Sequence, residues 1–255
     1  VESAVGRHLM VAIHGAVADR SSVHLVTQSI VSALESGAIA RGRSEASITE
    51  IAAVLESRAQ STEAEAALER ISRVCVDRPV AVLQQVRTTS VACASLPGSF
   101  GRSDIEQAFC QAYAVATGTA RTTIDVEVDQ RDFLSADLRT DHKIGWLTTT
   151  YPRGTDLTLE SADRHWYSLV RYNNRRGRRL LKTAGNPLVL LTQTFGHQAN
   201  PAQAEGVECY YSVIGRYRLN HNSIDLEVLA AEAGAAEAIA GAWSHELSRK
   251  SEQIS

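Results

Sequence analysis

The residues with the chemistry to move protons cluster in one stretch, Asp125-Val126-Glu127-Val128-Asp129-Gln130-Arg131-Asp132. Carboxylates deliver and accept protons, and an adjacent guanidinium can hold one of them ionised. Ile124, Val126 and Val128 alternate with the acids, so the stretch predicts a half-buried strand with Glu127 and Asp129 on the face opposite the valines. Far upstream, His14 ends the apolar run His8-Leu9-Met10-Val11-Ala12-Ile13, which predicts a buried strand stopped by Gly15. His14, Glu127, Asp129 and Asp132 are therefore the candidate acid–base groups. His142 is expected to be exposed.

Other chemistries have no comparable footing. The four cysteines, Cys75, Cys93, Cys110 and Cys209, fit no zinc or redox spacing and are expected to be reduced core residues. Neither usual glycine-rich phosphate loop is present, and no cofactor or metal is expected. With 26 basic against 29 acidic residues the chain has no overall nucleic-acid footprint. Its one dense basic run, Arg171 to Arg179, reads either as a solvated face or as a patch for an acidic partner or a phosphate. No apolar stretch is long enough to cross a membrane, and a cytoplasmic location is expected.

The elements that must position these residues alternate between helix and strand. A helix is expected from about Ser22 to Leu34, with Gly37 past its end. Two amphipathic helices follow, one with Ile48, Ile51, Ala52 and Leu55 on a face, the other with Ala64, Ala67, Leu68 and Ile71. Ser47 with Glu50, Thr62 with Glu65, and Ser103 with Glu106 have the spacing of capping boxes. Strand is expected over Pro79 to Ala94 and helix along Ile105, Phe109 and Ala112, ending at Gly118. A further helix runs from Ser161 to Tyr172, overlapped by the basic run. Pro187 to Thr194 reads as a buried strand. Val207 to Arg218 and Ser223 to Val228 read as an antiparallel pair, and a closing helix carries Ala236, Ile239, Trp243 and Leu247. The order predicts an α/β (α+β) class with a mixed sheet covered by helices.

Four blocks, in order, resemble the condensation and epimerization domains of nonribosomal peptide synthetases. Ile144-Gly145-Trp146-Leu147-Thr148, two threonines and Tyr151-Pro152 stand for the family's Val-Gly-Trp-Phe-Thr, two residues, Tyr-Pro. His14-Gly15-Ala16-Val17-Ala18-Asp19-Arg20 stands for His-His-x-x-x-Asp-Gly. Glu127 to Asp132 stands for Glu-Gly-His-Gly-Arg-Glu, and Pro187 to Gly196 contains the counterpart of Phe-Asn-Tyr-Leu-Gly, with Thr194 at the tyrosine. The resemblance implies a chloramphenicol-acetyltransferase-like lobe. It also implies that residues 1–255 form a single such domain, comprising the last strand of an N-terminal lobe and a C-terminal lobe. It makes Asp19, Arg131, Gly145 and Trp146 structural motif residues, with Asp19 tying down its own loop and Arg131 pairing with Asp19 or Asp132, and implies a substrate tethered to a phosphopantetheinyl carrier protein.

The departures matter as much as the matches. The family's catalytic second histidine is Gly15, its motif glycine is Arg20, and its glycine-histidine-glycine core is Val128-Asp129-Gln130. Epimerization needs an acid and a base on opposite sides of one carbon, and here the usual set is degenerate. The resemblance therefore implies a divergent domain of natural-product (antibiotic) biosynthesis that binds a carrier protein or neighbouring enzyme. The alternative is a repurposed stand-alone enzyme for cyclisation or isomerisation. Such a lobe is further expected to self-associate or to take a partner supplying the missing lobe.

Overall fold

A computed structural model of the chain describes residues 2–3, 6–7, 13, 18–37, 45–75, 86–120, 122–135, 137–140, 142–145, 147–156, 158–181, 189–194, 208–209 and 211–254. The chain falls into two compact units. The first is 1–54 with 129–148, and the second is 55–128 with 149–255.

In the first unit, short strands β1 (Glu2–Ser3) and β2 (Gly6–Arg7) pair antiparallel. The expected strand from His8 to His14 lies, apart from Ile13, outside the described residues. Helix α1 (Arg20–Ser36) starts earlier than its apolar pattern suggests. Asp19 is extended at the N-cap and accepts from the Ser22 backbone N–H, satisfying one of the donors a helix start leaves open. Gly37 ends the helix in the left-handed region at φ 66°.

Helix α2 (Ile48–Ala59) begins in this unit with the expected capping box. The Ser47 N–H donates to Glu50 (2.7 Å) and the Glu50 N–H donates to Ser47 Oγ (3.1 Å). Its buried face differs from expectation: Ile51 and Ala59 are buried, whereas Ile48 and Ala52 are exposed. A short helix, α5 (Arg131–Leu134), completes the described regular structure of this unit.

The second unit is built on a six-stranded sheet of β4 (Ser90–Pro97), β5 (Thr123–Asp129), β6 (Thr148–Gly154), β7 (Val189–Gln193), β9 (Val213–Leu219) and β10 (Ser223–Ala230). Its order is β4-β10-β9-β7-β5-β6. The β9–β10 hairpin is antiparallel with Ile224 opposite Leu219, and β10 continues antiparallel onto β4. β7 pairs parallel with both β9 and β5, so the sheet is mixed, as expected. Short strands β3 (Val86–Arg87) and β8 (Glu208–Cys209) form a separate pair. The strand expected from Pro79 is described only from Val86.

Helices α3 (Thr62–Cys75), α4 (Arg102–Thr117), α6 (Ser161–Asn173) and α8 (Ala235–Ile254) supply the apolar cover. The expected faces are buried: Ala64, Ala67, Leu68 and Ile71 on α3, and Ala236, Ile239, Trp243 and Leu247 on α8. Phe109 of α4 meets Trp243 with ring centroids 4.6 Å apart and tilted by 56°. Gly215 of β9 makes room for that phenyl, because a Cβ there would lie 2.4 Å from it. Side chains of this size each contribute about 1.5–3 kcal/mol on burial, so this contact anchors the core.

Two local expectations fail for identifiable reasons. The cap of α3 is Ser61, whose Oγ accepts from the Ala64 N–H, because Glu65 is drawn away to Asn174 and Arg176. Helix α4 begins one residue before Ser103, with Gly101 at its N-cap and no side-chain cap, because Glu106 is turned inward. The basic run overlaps the end of α6, as expected, and continues beyond Asn174 as a separate helix, α7 (Arg175–Leu180). Of the cysteines, Cys75 and Cys110 are buried and Cys93 is exposed; the Cys209 side chain lies outside the described residues. Burial pushes the Cys110 thiol up to about 12, a protonated and unreactive state at neutral pH.

Candidate functional site

Asp19, Asp129 and Arg131, charged residues of the motif blocks, meet in the first unit. Asp19 comes from the start of α1, Asp129 from the end of β5, Arg131 from the first turn of α5, and Gly145, Leu147 and Thr148 from the segment leading into β6. Asp19 Oδ1 accepts from the Ser22 N–H (2.9 Å), Ser22 Oγ (2.7 Å) and Arg131 Nη2 (3.0 Å). Its Oδ2 accepts from Arg131 Nη1 (3.0 Å), the Leu147 N–H (2.8 Å) and Thr148 Oγ1 (3.0 Å). Both oxygens are saturated.

Arg131 is equally committed. Besides Asp19 it donates through Nη1 to Asp129, through Nε and Nη2 to the Lys143 carbonyl, and through Nη2 to Ser22 Oγ and the Gly145 carbonyl. Asp129 Oδ1 also accepts from the Arg131 N–H at 2.9 Å, a local side-chain turn that fixes the exit from β5. Ser22 Oγ closes the network onto Gly145, accepting from its N–H at 3.0 Å.

Burial alone would push the Asp19 carboxyl up. The Arg131 guanidinium, the Ser22 hydroxyl and the Ser22 and Leu147 backbone N–H groups outweigh it and lower the pKa to about 2. Asp19 is thus a permanent anion at neutral pH. Its six accepted bonds leave no lone pair for a substrate proton. The cluster is a latch joining the start of α1, the exit of β5 and the Gly145–Thr148 segment.

The other candidates are distributed differently. Asp132, the alternative partner expected for Arg131, is exposed, and the guanidinium binds Asp19 and Asp129 instead. Glu127 belongs to the second unit, where it accepts from the Thr192 hydroxyl of β7; it is half-buried, and not on an open solvent face. His142 is exposed, as expected. His14 and Trp146 lie outside the described residues. Ser22, expected only as the start of a helix, is the network's hub, and the signal for this role was its place three residues after a capping aspartate.

A second buried constellation, in the second unit, was not anticipated. Glu106 of α4 is fully buried, and its Oε1 accepts from Tyr151 Oη (2.6 Å) and Arg102 Nε (2.9 Å), with Arg164 Nη1 at 3.6 Å. Its Oε2 has no partner among the described residues. Burial, followed by the charge of Glu106, raises the pKa of the Tyr151 hydroxyl, which is therefore a fixed donor. Among the described residues no group of three or more histidines, cysteines and carboxylates could hold a metal, and no helix is long and apolar enough to cross a membrane.

This arrangement of sheet and helices is the fold of the condensation and epimerization domains of nonribosomal peptide synthetases. Among solved structures, the chain is similar to the epimerization domain from the third module of tyrocidine synthetase B. The match has 17% identity and a TM-score of 0.64, and covers 94% of this chain and 68% of that one. It is also similar to a condensation domain that mediates chain release from the enacyloxin polyketide synthase (12%, TM-score 0.59, 92% and 56% covered). A third likeness is to the X-domain solved in complex with OxyB from teicoplanin biosynthesis (14%, TM-score 0.57, 94% and 66% covered). The chain thus spans between 56% and 68% of the length of these three. No protein-family model and no curated protein matches it.

Proposed function

We propose that the chain is a divergent condensation/epimerization-type domain of nonribosomal peptide natural-product biosynthesis that works as a binding platform for a carrier protein or a neighbouring enzyme. The observation that carries this reading is the saturated Asp19–Arg131–Asp129 cluster. Asp19, Asp129 and Arg131 of the motif blocks are spent on each other, and Gly15 stands where the family histidine would move a proton. A side chain whose every acceptor is filled cannot serve as general base without first breaking the latch. The likeness to an X-domain solved in complex with OxyB supports a fold of this kind being used for binding. The proposed ligand is a phosphopantetheinyl carrier protein, loaded or free.

The test is to mix the chain with aminoacyl- and peptidyl-loaded carrier proteins of its own pathway. Complex formation is read by native mass spectrometry, and the configuration and mass of the tethered acyl group are read after release. Binding with unchanged configuration and mass is expected. A second reading, a repurposed enzyme for cyclisation or isomerisation, is favoured by Asp132, an exposed motif carboxylate outside the cluster. Turnover that disappears in Asp132→Ala would replace the platform reading with this one, and absence of any complex would remove the first.

A further inference from the structure

The basic run is built as a rigid platform, and it sits entirely in the second unit. Five of the nine residues from 171 to 179 are arginine. Asn174, 2% exposed, breaks α6 from α7 and holds the corner together. Its Oδ1 accepts from the Gly177 N–H, while its Nδ2 donates to the Ala59 carbonyl (2.8 Å) and to Glu65 (3.0 Å). Gly177 lies directly against the α6 backbone, where a Cβ would come within 2.0 Å of the Val170 carbonyl oxygen. Helix α7 is thereby pinned from beneath.

What this corner holds out is specific. Arg175, Arg178 and Arg179 are all exposed, and their i, i+3, i+4 spacing sets them on one face of α7. No carboxylate among the described residues pairs with any of the three, whereas Arg176 is bound to Glu65 at 2.9 Å. Tyr172 and Leu180, 56% and 44% exposed, flank the arginines with apolar surface. Arg171 covers a face of the Tyr172 ring at 5.4 Å. Exposed arginine and tyrosine beside an aliphatic side chain, on a braced element, is the composition of a protein–protein hot spot.

We infer that the exposed face of α7, Arg175, Arg178 and Arg179 with Tyr172 and Leu180, is a docking surface for an acidic protein partner, one presenting clustered Asp and Glu side chains. A polyanionic nucleic acid fits less well. The arginines are confined to a helix roughly 9 Å long, on a chain of net charge −3, and the flanking apolar groups have nothing to gain from a phosphate backbone. The guanidinium forks match carboxylates in pairs. This inference rests on the platform reading and names the surface and the chemistry of the partner.

The experiment compares the full chain with R175E/R178E/R179E, both checked for equal melting temperature. The probes are carrier proteins of the pathway, poly-L-glutamate and duplex DNA, across a salt series. The wild-type chain is expected to bind carrier and poly-L-glutamate, more weakly as salt rises, and the triple variant to bind both at least about tenfold more weakly. Carrier bound equally by both proteins would overturn this surface and leave the platform reading standing. Poly-L-glutamate bound only by wild type, with no carrier bound, would support the surface and count against a carrier as the platform's ligand. DNA bound more tightly than poly-L-glutamate, or no binding of poly-L-glutamate at low salt, would overturn the inference. If the glutamate variant does not fold, R175Q/R178Q/R179Q is read in the same way.

Discussion

Among the buried carboxylates of the described residues, Asp19 in the first unit and Glu106 in the second are treated in opposite ways. Asp19 receives six donors and faces an arginine that is itself buried and fully bonded. Glu106 receives its donors on one oxygen only, and the side chain of its partner Arg102 is 38% exposed. Desolvating an ion costs several kcal/mol, which is recovered only where geometry and bonding are complete. The first site is complete and therefore specific: it fixes three chain segments in one arrangement. The second is incomplete and tolerates change.

Breaking the first site is expected to have the largest effect. Arg131→Met leaves Asp19 buried without its counter-ion and should cost about 3–5 kcal/mol, read from the urea midpoint. A loss below about 1 kcal/mol would mean that the donors from Ser22, Leu147 and Thr148 hold the anion unaided.

The isosteric amides sharpen the contrast. In Asp19→Asn the new NH2 group must face donors, since both oxygens accept three bonds. In Glu106→Gln the carbonyl can keep Tyr151 and Arg102 while the NH2 takes the place of the unpartnered Oε2. Glu106→Gln should cost about 1–2 kcal/mol and Asp19→Asn distinctly more. Equal losses in denaturant titrations would erase the distinction between the two sites.

The smallest effect is in acid. Burial raises the Asp19 carboxyl and its hydrogen bonds overcome this, so its folded pKa, about 2, lies below the ordinary 3.8. The unfolded chain therefore binds that proton more tightly. The stabilisation from Asp19 is whole above pH 3.8 and is lost as pH falls towards about 2. Wild type minus Asp19→Asn, measured by urea unfolding at successive pH values, should shrink across that window. A difference independent of pH would assign the stabilisation to packing.

The same contrast explains what could be read in advance. Asp19 and Arg131 sit in blocks whose residue types and order carry information, so their pairing was foreseeable. The Ser47–Glu50 box is likewise local, with both partners within one turn of helix, and it forms as spaced. Ser103–Glu106 has identical spacing, yet Glu106 serves Tyr151, 45 residues away. Short-range pattern cannot distinguish a side chain that closes its own helix from one recruited by a distant strand. The β9–β10 pair and the buried face of α8 were legible because period and turn agree. The separate helix α7 was not, because the charges conceal the close approach of Gly177 to Val170.

The strand order also sets a timetable for synthesis. β9 and β10 are joined by a tight turn, and a hairpin of that kind closes in microseconds. β4 leaves the ribosome long before them, yet its recorded ladder partner is β10, with Ser90 opposite Ala230 and Pro97 opposite Ser223. Until that hairpin is made, the nascent chain carries a strand edge with no mate, open to pairing with another chain. Formation of the β9–β10 hairpin is thus the event that covers one edge of β4.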